Sequence, residues 1–243
     1  MEKKCGRKMV TSAMTFKRYE IKFLMNDEQR KSIARVIKEN IAPDKYNQNT
    51  VKNVYLDTPN YLLARRSIEH PLYKEKLRLR CYNEPCDETE VFVELKKKYK
   101  GITYKRRFAM PLYSIDSWLK EEITPPKNQI IAEIDFFKHR YEDLKPRMVL
   151  NYDREAYVDE AKNVRITIDS NIRSDVCNIT LLNNNPSHMI IPKEYSLMEI
   201  KTLGGVPLWL VQPLSEMKLY RCSFSKYGHA YKQMIMKQNT VIY

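Results

Sequence analysis

The stretch Lys74-Glu75-Lys76-Leu77-Arg78-Leu79-Arg80-Cys81-Tyr82 decides how this chain is read. On an extended strand, residues two apart project to the same side, about 6.5–7 Å from each other. Lys76, Arg78 and Arg80 therefore share one face, and Leu77, Leu79 and Cys81 share the other. Four more segments repeat the habit. Glu20 and Lys22 alternate with Tyr19, Ile21 and Phe23. Glu94, Lys96 and Lys98 alternate with Val93 and Leu95, with Phe92 on the charged side. Arg165, Thr167 and Asp169 flank Ile166 and Ile168, and Glu199 and Lys201 flank Met198 and Ile200.

A single strand of this kind is an ordinary half-exposed strand of an antiparallel sheet. Its charges would then be weak surface pairs. Five strands with the same habit, rich in Arg and Lys with a few Glu, fit another arrangement better. A closed antiparallel barrel with charge inside and apolar side chains outside, covered by helices, produces this pattern. A basic lumen is costly when empty, and a multiply charged anion with a divalent cation would offset that cost.

Composition agrees. The chain has 243 residues and a formal net charge of +13, which favours a polyanionic ligand. Gly is scarce at 5, and neither GxxxxGK[ST] nor GxGxxG occurs, so nucleotide cradles of those types are excluded. No apolar run reaches the roughly 18–20 residues that span a bilayer. The stretch Met1 to Met14 is basic without an apolar core, so it does not read as a signal peptide. The five Cys have no CxxC spacing and read as reduced thiols, and the four His lack metal spacing. A cytoplasmic protein is expected.

Around the deciding strand the chain divides readily. Residues 1–14 read as a disordered basic lead, and 15–243 as a single domain. Strands are expected over 16–25, 51–56, 74–82, 90–98, 102–110, 147–157, 164–169 and 195–202. Helices are expected from Asn26 or Asp27 to Asn40, from Ser114 to Lys120, from Asn128 to Tyr141, over 207–210, from Pro213 and over 225–237. The fold class is α+β: an eight-stranded antiparallel β-barrel tunnel with a basic lumen and helices packed outside.

Seven segments now stand in a telling order. They are Glu20-Ile21-Lys22-Phe23, Lys76-Leu77-Arg78-Leu79-Arg80, Glu94-Leu95-Lys96, Tyr152-Asp153-Arg154-Glu155-Ala156-Tyr157, Val164-Arg165-Ile166-Thr167-Ile168-Asp169, Leu197-Met198-Glu199-Ile200-Lys201 and Phe224-Ser225-Lys226-Tyr227-Gly228. Together they resemble the catalytic domain of the vacuolar transporter chaperone (VTC) polyphosphate polymerases, within the triphosphate tunnel metalloenzymes (CYTH-like). The resemblance covers about Thr15 to Lys237. It implies ATP and polyphosphate or triphosphate as ligands and Mn²⁺ or Mg²⁺ as cofactor. It also admits a membrane-protein partner for export, while nucleic acid is disfavoured. Arg18 stands where triphosphatase members carry another Glu, which suits the polymerase branch better.

Carried over residue by residue, the resemblance implies catalytic roles for Arg78, Arg80, Lys96, Arg154 and Lys201. It implies phosphate contacts from these and from Lys22, Arg106, Arg165 and Lys226, the last at the start of the final helix. Glu199 is the expected metal ligand and Glu94 a second. Glu20 is either a ligand or the orienter of Lys22. Lys105, Arg106 and Arg107 cannot all face the lumen, and the sequence leaves their sides open. The implied reaction moves the terminal phosphoryl of ATP onto a polyphosphate chain, which a tunnel open at both ends would let thread away. The alternatives are a metal-dependent triphosphatase with water as acceptor, and a binding module without turnover.

Overall fold

The computed structural model describes residues 19–236 except 101, 127 and 162. The expected basic lead at 1–14 and Arg18 lie outside the described residues.

The described residues form nine strands and six α-helices. The strands are β1 (Tyr19–Asn26), β2 (Ala42–Asp57), β3 (Tyr73–Tyr82), β4 (Glu90–Tyr99), β5 (Ile102–Pro111), β6 (Lys145–Asp159), β7 (Val164–Asp175), β8 (His188–Met189) and β9 (Tyr195–Thr202). The helices are α1 (Asp27–Asn40), α2 (Leu62–Glu69), α3 (Ile115–Leu119), α4 (Gln129–Arg140), α5 (Leu208–Glu216) and α6 (Lys226–Tyr231). Eight strands run antiparallel in the order β1-β9-β7-β6-β2-β3-β4-β5, and the two-residue β8 joins β7. Among the described residues, β1 and β5 are edges with no backbone ladder between them. The expected barrel is therefore tunnel-like without being strictly closed, and one contact spans the gap: Lys96 Nζ on β4 lies 3.4 Å from Glu20 Oε2 on β1.

Register explains why charge faces inward. Opposed residues of an antiparallel pair share a face, and the ladder sets Lys22 opposite Glu199, Arg78 opposite Glu94 and Arg154 opposite Asp169. The alternate residues point outward and need cover. Val93, Leu95 and Phe108 pack beneath Trp118 of α3 and Ile134 and Phe137 of α4. Ile166, Ile168, Met198 and Ile200 pack beneath Ile33 and Ile37 of α1 and Leu210 of α5. Each such fully buried aliphatic side chain contributes about 1.5–3 kcal/mol. A one-residue slip of any strand would exchange these residues with the charges.

α1 begins where the sequence signals it. Asn26 accepts from Gln29 N–H at 2.9 Å, and Gln29 Oε1 returns the bond to Asn26 N–H at 3.0 Å, a capping box. α5 differs from expectation. One helix runs through Pro213 instead of two pieces flanking it.

The lumen is charged along only part of its length. Beyond Asp169 and Tyr152 the inward residues become Tyr55, Met148, Leu150, Ile172 and Leu197. Phe224, Tyr227, Ala230 and Tyr231 from the C-terminal segment fill that space. Tyr227 stacks on Tyr55 with centroids 4.2 Å apart, and its hydroxyl donates to Asp57 Oδ2 at 2.7 Å. The expected tunnel open at both ends is thus closed on this side. The final helix follows its expected span: it is α-helical over Lys226–Tyr231 and continues as a π-helix over Lys232–Met236.

Candidate functional site: a basic lumen with three carboxylate centres

Three clusters line the charged part of the lumen. In the first, Glu94 of β4 sits among cations. Arg78 Nε and Nη2 both donate to Oε2, at 2.9 and 2.7 Å. Lys105 of β5 donates to Oε1, and Arg80 Nε stands 3.8 Å away. Burial alone would raise the Glu94 carboxyl, but Arg78, Arg80 and Lys105 outweigh it and hold it well below the usual carboxylate range. The guanidiniums are fixed from behind. Arg78 Nη1 donates to the Tyr55 hydroxyl at 3.2 Å, and Arg80 donates to Asn53 Oδ1 at 2.9 Å and to the Tyr152 hydroxyl at 3.1 Å. Arg107 of β5 lies over the Phe92 ring, 4.6 Å from its centroid.

In the second cluster, Asp169 of β7 takes a two-pronged contact from Arg154 Nε and Nη2, at 2.7 and 2.8 Å. Lys226 donates to the same carboxylate and covers the Tyr152 ring. Burial would raise the Tyr152 hydroxyl, yet the charges of Arg154, Arg80 and Lys226 pull it down to about 8.

In the third, Glu20 and Glu199 approach each other across β1 and β9. Lys22 Nζ is 2.9 Å from Glu20 Oε1 and 3.7 Å from Glu199 Oε2, and it donates to the Phe224 carbonyl at 2.9 Å. Lys96 adds to Glu20 and Lys201 to Glu199. Burial and the charge of Glu199 oppose ionisation of Glu20, but Lys96, Lys22 and Lys201 bring it down to about 2. Lys76 of β3 faces this space, donates to the Ser225 hydroxyl at 2.9 Å and stands over the Tyr227 ring, 6.0 Å from its centroid. Burial lowers its pKa well below the ordinary lysine value, helped by Lys96 and Lys22.

Of the sequence-derived candidates, Lys22, Arg78, Arg80, Lys96, Arg154, Lys201, Lys226, Glu20, Glu94 and Glu199 share the lumen. Arg106 does not. It points outward to α4, with Nε 3.2 Å from Glu133 Oε2, while Lys105 and Arg107 point inward. Arg165 stands at the rim, half-exposed and paired at 2.8 Å with Asp44. The carboxylates also separate. Glu94 sits with cations alone, and no group of three or more His, Cys, Asp or Glu forms among the described residues. Glu199, Glu94 and Glu20 are therefore not one metal cluster.

Of the three clusters, the Glu20–Glu199 end has the donor chemistry that suits a divalent ion. There two carboxylates and the Phe224 carbonyl already surround a positive charge, and oxygen donors of this kind suit Mg²⁺ or Mn²⁺.

Sequence reasoning missed Lys76, Lys105, Arg107, Asp169 and Tyr152 as site residues. For Lys105 and Arg107 a signal existed. β4 ends at Tyr99 and β5 begins at Ile102, and these two residues pair. Counting back sets Lys105 opposite Lys96 and Arg107 opposite Glu94.

A family model described as VTC domain matches residues 17–235. The chain belongs to the VTC domain family. Its fold is also found in a candidate adenylate cyclase from Bacillus halodurans. That match has a TM-score of 0.51 and 14% identity, and covers 89% of this VTC domain chain and 96% of the other. A candidate adenylyl cyclase from Hippeastrum, described as having a dominant triphosphatase activity, is matched with a TM-score of 0.47 and 14% identity, covering 88% and 94%. Comparison with curated protein sequences gives no match. No helix among the described residues of this VTC domain is long and apolar enough to cross a membrane.

Proposed function

We propose that this VTC domain is an ATP-dependent polyphosphate polymerase that moves the terminal phosphoryl of ATP onto a phosphate chain within the lumen. One observation carries this choice over a triphosphatase. Glu20, Glu94, Asp169 and Glu199 are all engaged by lysine or arginine. Water needs a proton acceptor to attack, whereas a terminal phosphate oxygen is already anionic and needs none. Catalysis then reduces to alignment and charge stabilisation.

In this reading Arg78, Arg80 and Arg154 bind phosphate oxygens through the N–H groups that Glu94, Asn53, Tyr152 and Asp169 leave over, and Lys22, Lys96, Lys105, Lys201 and Lys226 act as point charges. Arg78, Arg80, Lys96, Arg154 and Lys201 surround the transferred group. Glu199, with Glu20, holds the divalent ion, which when bound neutralises charge on the phosphates. Phe224 to Tyr231 close one end, so chain and nucleotide enter and leave from the open side. A cytoplasmic location belongs to the same proposal, as does export through a membrane partner.

The triphosphatase reading has one observation in its favour. The Tyr152 hydroxyl, pulled down to about 8 by neighbouring cations against the effect of burial, could take a proton from water.

The test is an incubation with ATP and Mn²⁺ or Mg²⁺ in which ADP, orthophosphate and polyphosphate are followed together. Arg78→Ala and Glu199→Ala serve as controls. Polymer matched by ADP and lost in both variants is expected. Orthophosphate without polymer, reduced in Tyr152→Phe, would instead establish the triphosphatase. No turnover, with binding intact, would leave a binding module.

A further inference from the structure

Lys22 stands in a cage of oxygen atoms. Its Nζ lies 2.9 Å from Glu20 Oε1, 2.9 Å from the Phe224 carbonyl oxygen and 3.7 Å from Glu199 Oε2. These oxygens come from β1, from the segment before α6 and from β9. Two carboxylates and a carbonyl form a donor set for a hard cation. In the free protein an ammonium group from the chain itself fills it.

We propose that Lys22 is the resident cation of this site, and that a divalent ion is admitted only when a phosphate chain draws Lys22 away. This rests on the reading of the lumen as a phosphate-chain site. While Lys22 stays in place, a divalent ion between Glu20 and Glu199 meets its charge directly. It also meets Lys96 on one carboxylate and Lys201 on the other. Lys96 and Lys201 each hold one carboxylate, whereas Lys22 bridges both and reaches the carbonyl, so Lys22 controls access. A phosphate chain offers all three lysines new anionic partners. Lys22 has a flexible four-carbon stem and can exchange its carboxylates for phosphate oxygens without backbone movement. The freed carboxylates then need a cation. Lys22 is thus a positioning residue that makes metal binding depend on the phosphate chain.

The experiment uses the whole chain and Mn²⁺ as probe. Free Mn²⁺ is read by electron paramagnetic resonance after equilibrium ultrafiltration, with and without tripolyphosphate. Wild type is expected to retain Mn²⁺ only with tripolyphosphate. Lys22→Met is expected to bind Mn²⁺ without tripolyphosphate, about tenfold or more tighter than wild type. Adding Glu199→Gln to that variant should abolish the gain. Thermal melting gives a second readout, since Mn²⁺ alone should raise the Tm of Lys22→Met and leave wild type unchanged.

Equal Mn²⁺ binding by wild type with and without tripolyphosphate would overturn the proposal. So would a folded Lys22→Met that gains no Mn²⁺ affinity. Tripolyphosphate that raises the Tm of wild type but brings in no Mn²⁺ would overturn it while leaving the phosphate lumen intact. Tripolyphosphate that does not bind at all would remove the functional reading. The Mn²⁺ gain of Lys22→Met would still decide the occupancy of the cage.

Discussion

Glu94→Gln tests whether the buried carboxylate exists to hold the basic lumen together. The substitution keeps shape and removes one negative charge from beside Arg78, Arg80 and Lys105. Glu94 is 1% exposed, so nothing but these cations compensates its charge. Removing one partner of a buried ion pair costs about 3–5 kcal/mol. Arg78 and Lys105 are 22% and 44% exposed, so water in the lumen screens part of the loss. The lower end, about 3 kcal/mol, is therefore expected. For a chain of this size that lowers Tm by about 6–12 °C. Tripolyphosphate should restore most of the loss, because its oxygens give the stranded cations new partners. The assay is calorimetric melting of both proteins at pH 7 and low salt, with and without saturating tripolyphosphate. A variant melting within about 1 °C of wild type would refute the reasoning, since that is below the cost of any broken buried pair. So would a deficit that tripolyphosphate leaves unchanged.

Three further expectations follow from the same geometry. Lys105→Ala should weaken tripolyphosphate binding about tenfold, as loss of one charged hydrogen bond predicts. Arg106→Ala should leave it unchanged within about twofold, and isothermal titration would compare the two. Binding should also weaken as pH rises through 8. Burial brings Lys105 down to about 8 against the pull of Glu94, and the surrounding cations bring Tyr152 to about 8 against burial. Below that pH Lys105 is charged and Tyr152 neutral. Above it the lumen loses a positive charge and gains a negative one, and both disfavour a polyanion. Titration at pH 7 and pH 9 should differ by about tenfold or more, and a flat profile would count against a lumen site. Finally, Tyr227→Phe removes the bond to Asp57 and should destabilise by about 1–2 kcal/mol, read by urea unfolding. An unchanged midpoint would mean that this bond does not anchor the C-terminal segment.

The period of two in Lys76 to Arg80, Glu94 to Lys98 and Arg165 to Asp169 determined by itself that these strands divide charge from apolar surface. That assigned antiparallel strands and outer helices, because side-chain alternation is a local property of an extended backbone. It also brought out ten of the lumen residues, since each lies in such an alternating or motif-bearing segment. Only the tertiary structure decided which residues meet. Glu20 and Glu199 lie on neighbouring strands far apart in sequence, whereas Glu94 is surrounded by Arg78, Arg80 and Lys105. Whether a carboxylate can hold metal depends on those neighbours rather than on its own segment. Arg106 and Lys105 are adjacent in sequence and opposite in space, and the β4–β5 register chose between them. The closed end could not be read from any strand. Tyr227, Ala230 and Tyr231 have ordinary helical spacing, and only long-range packing against Tyr55, Met148 and Leu150 turns them into a plug. Contacts between segments remote along the chain form in three dimensions, and no local pattern records them.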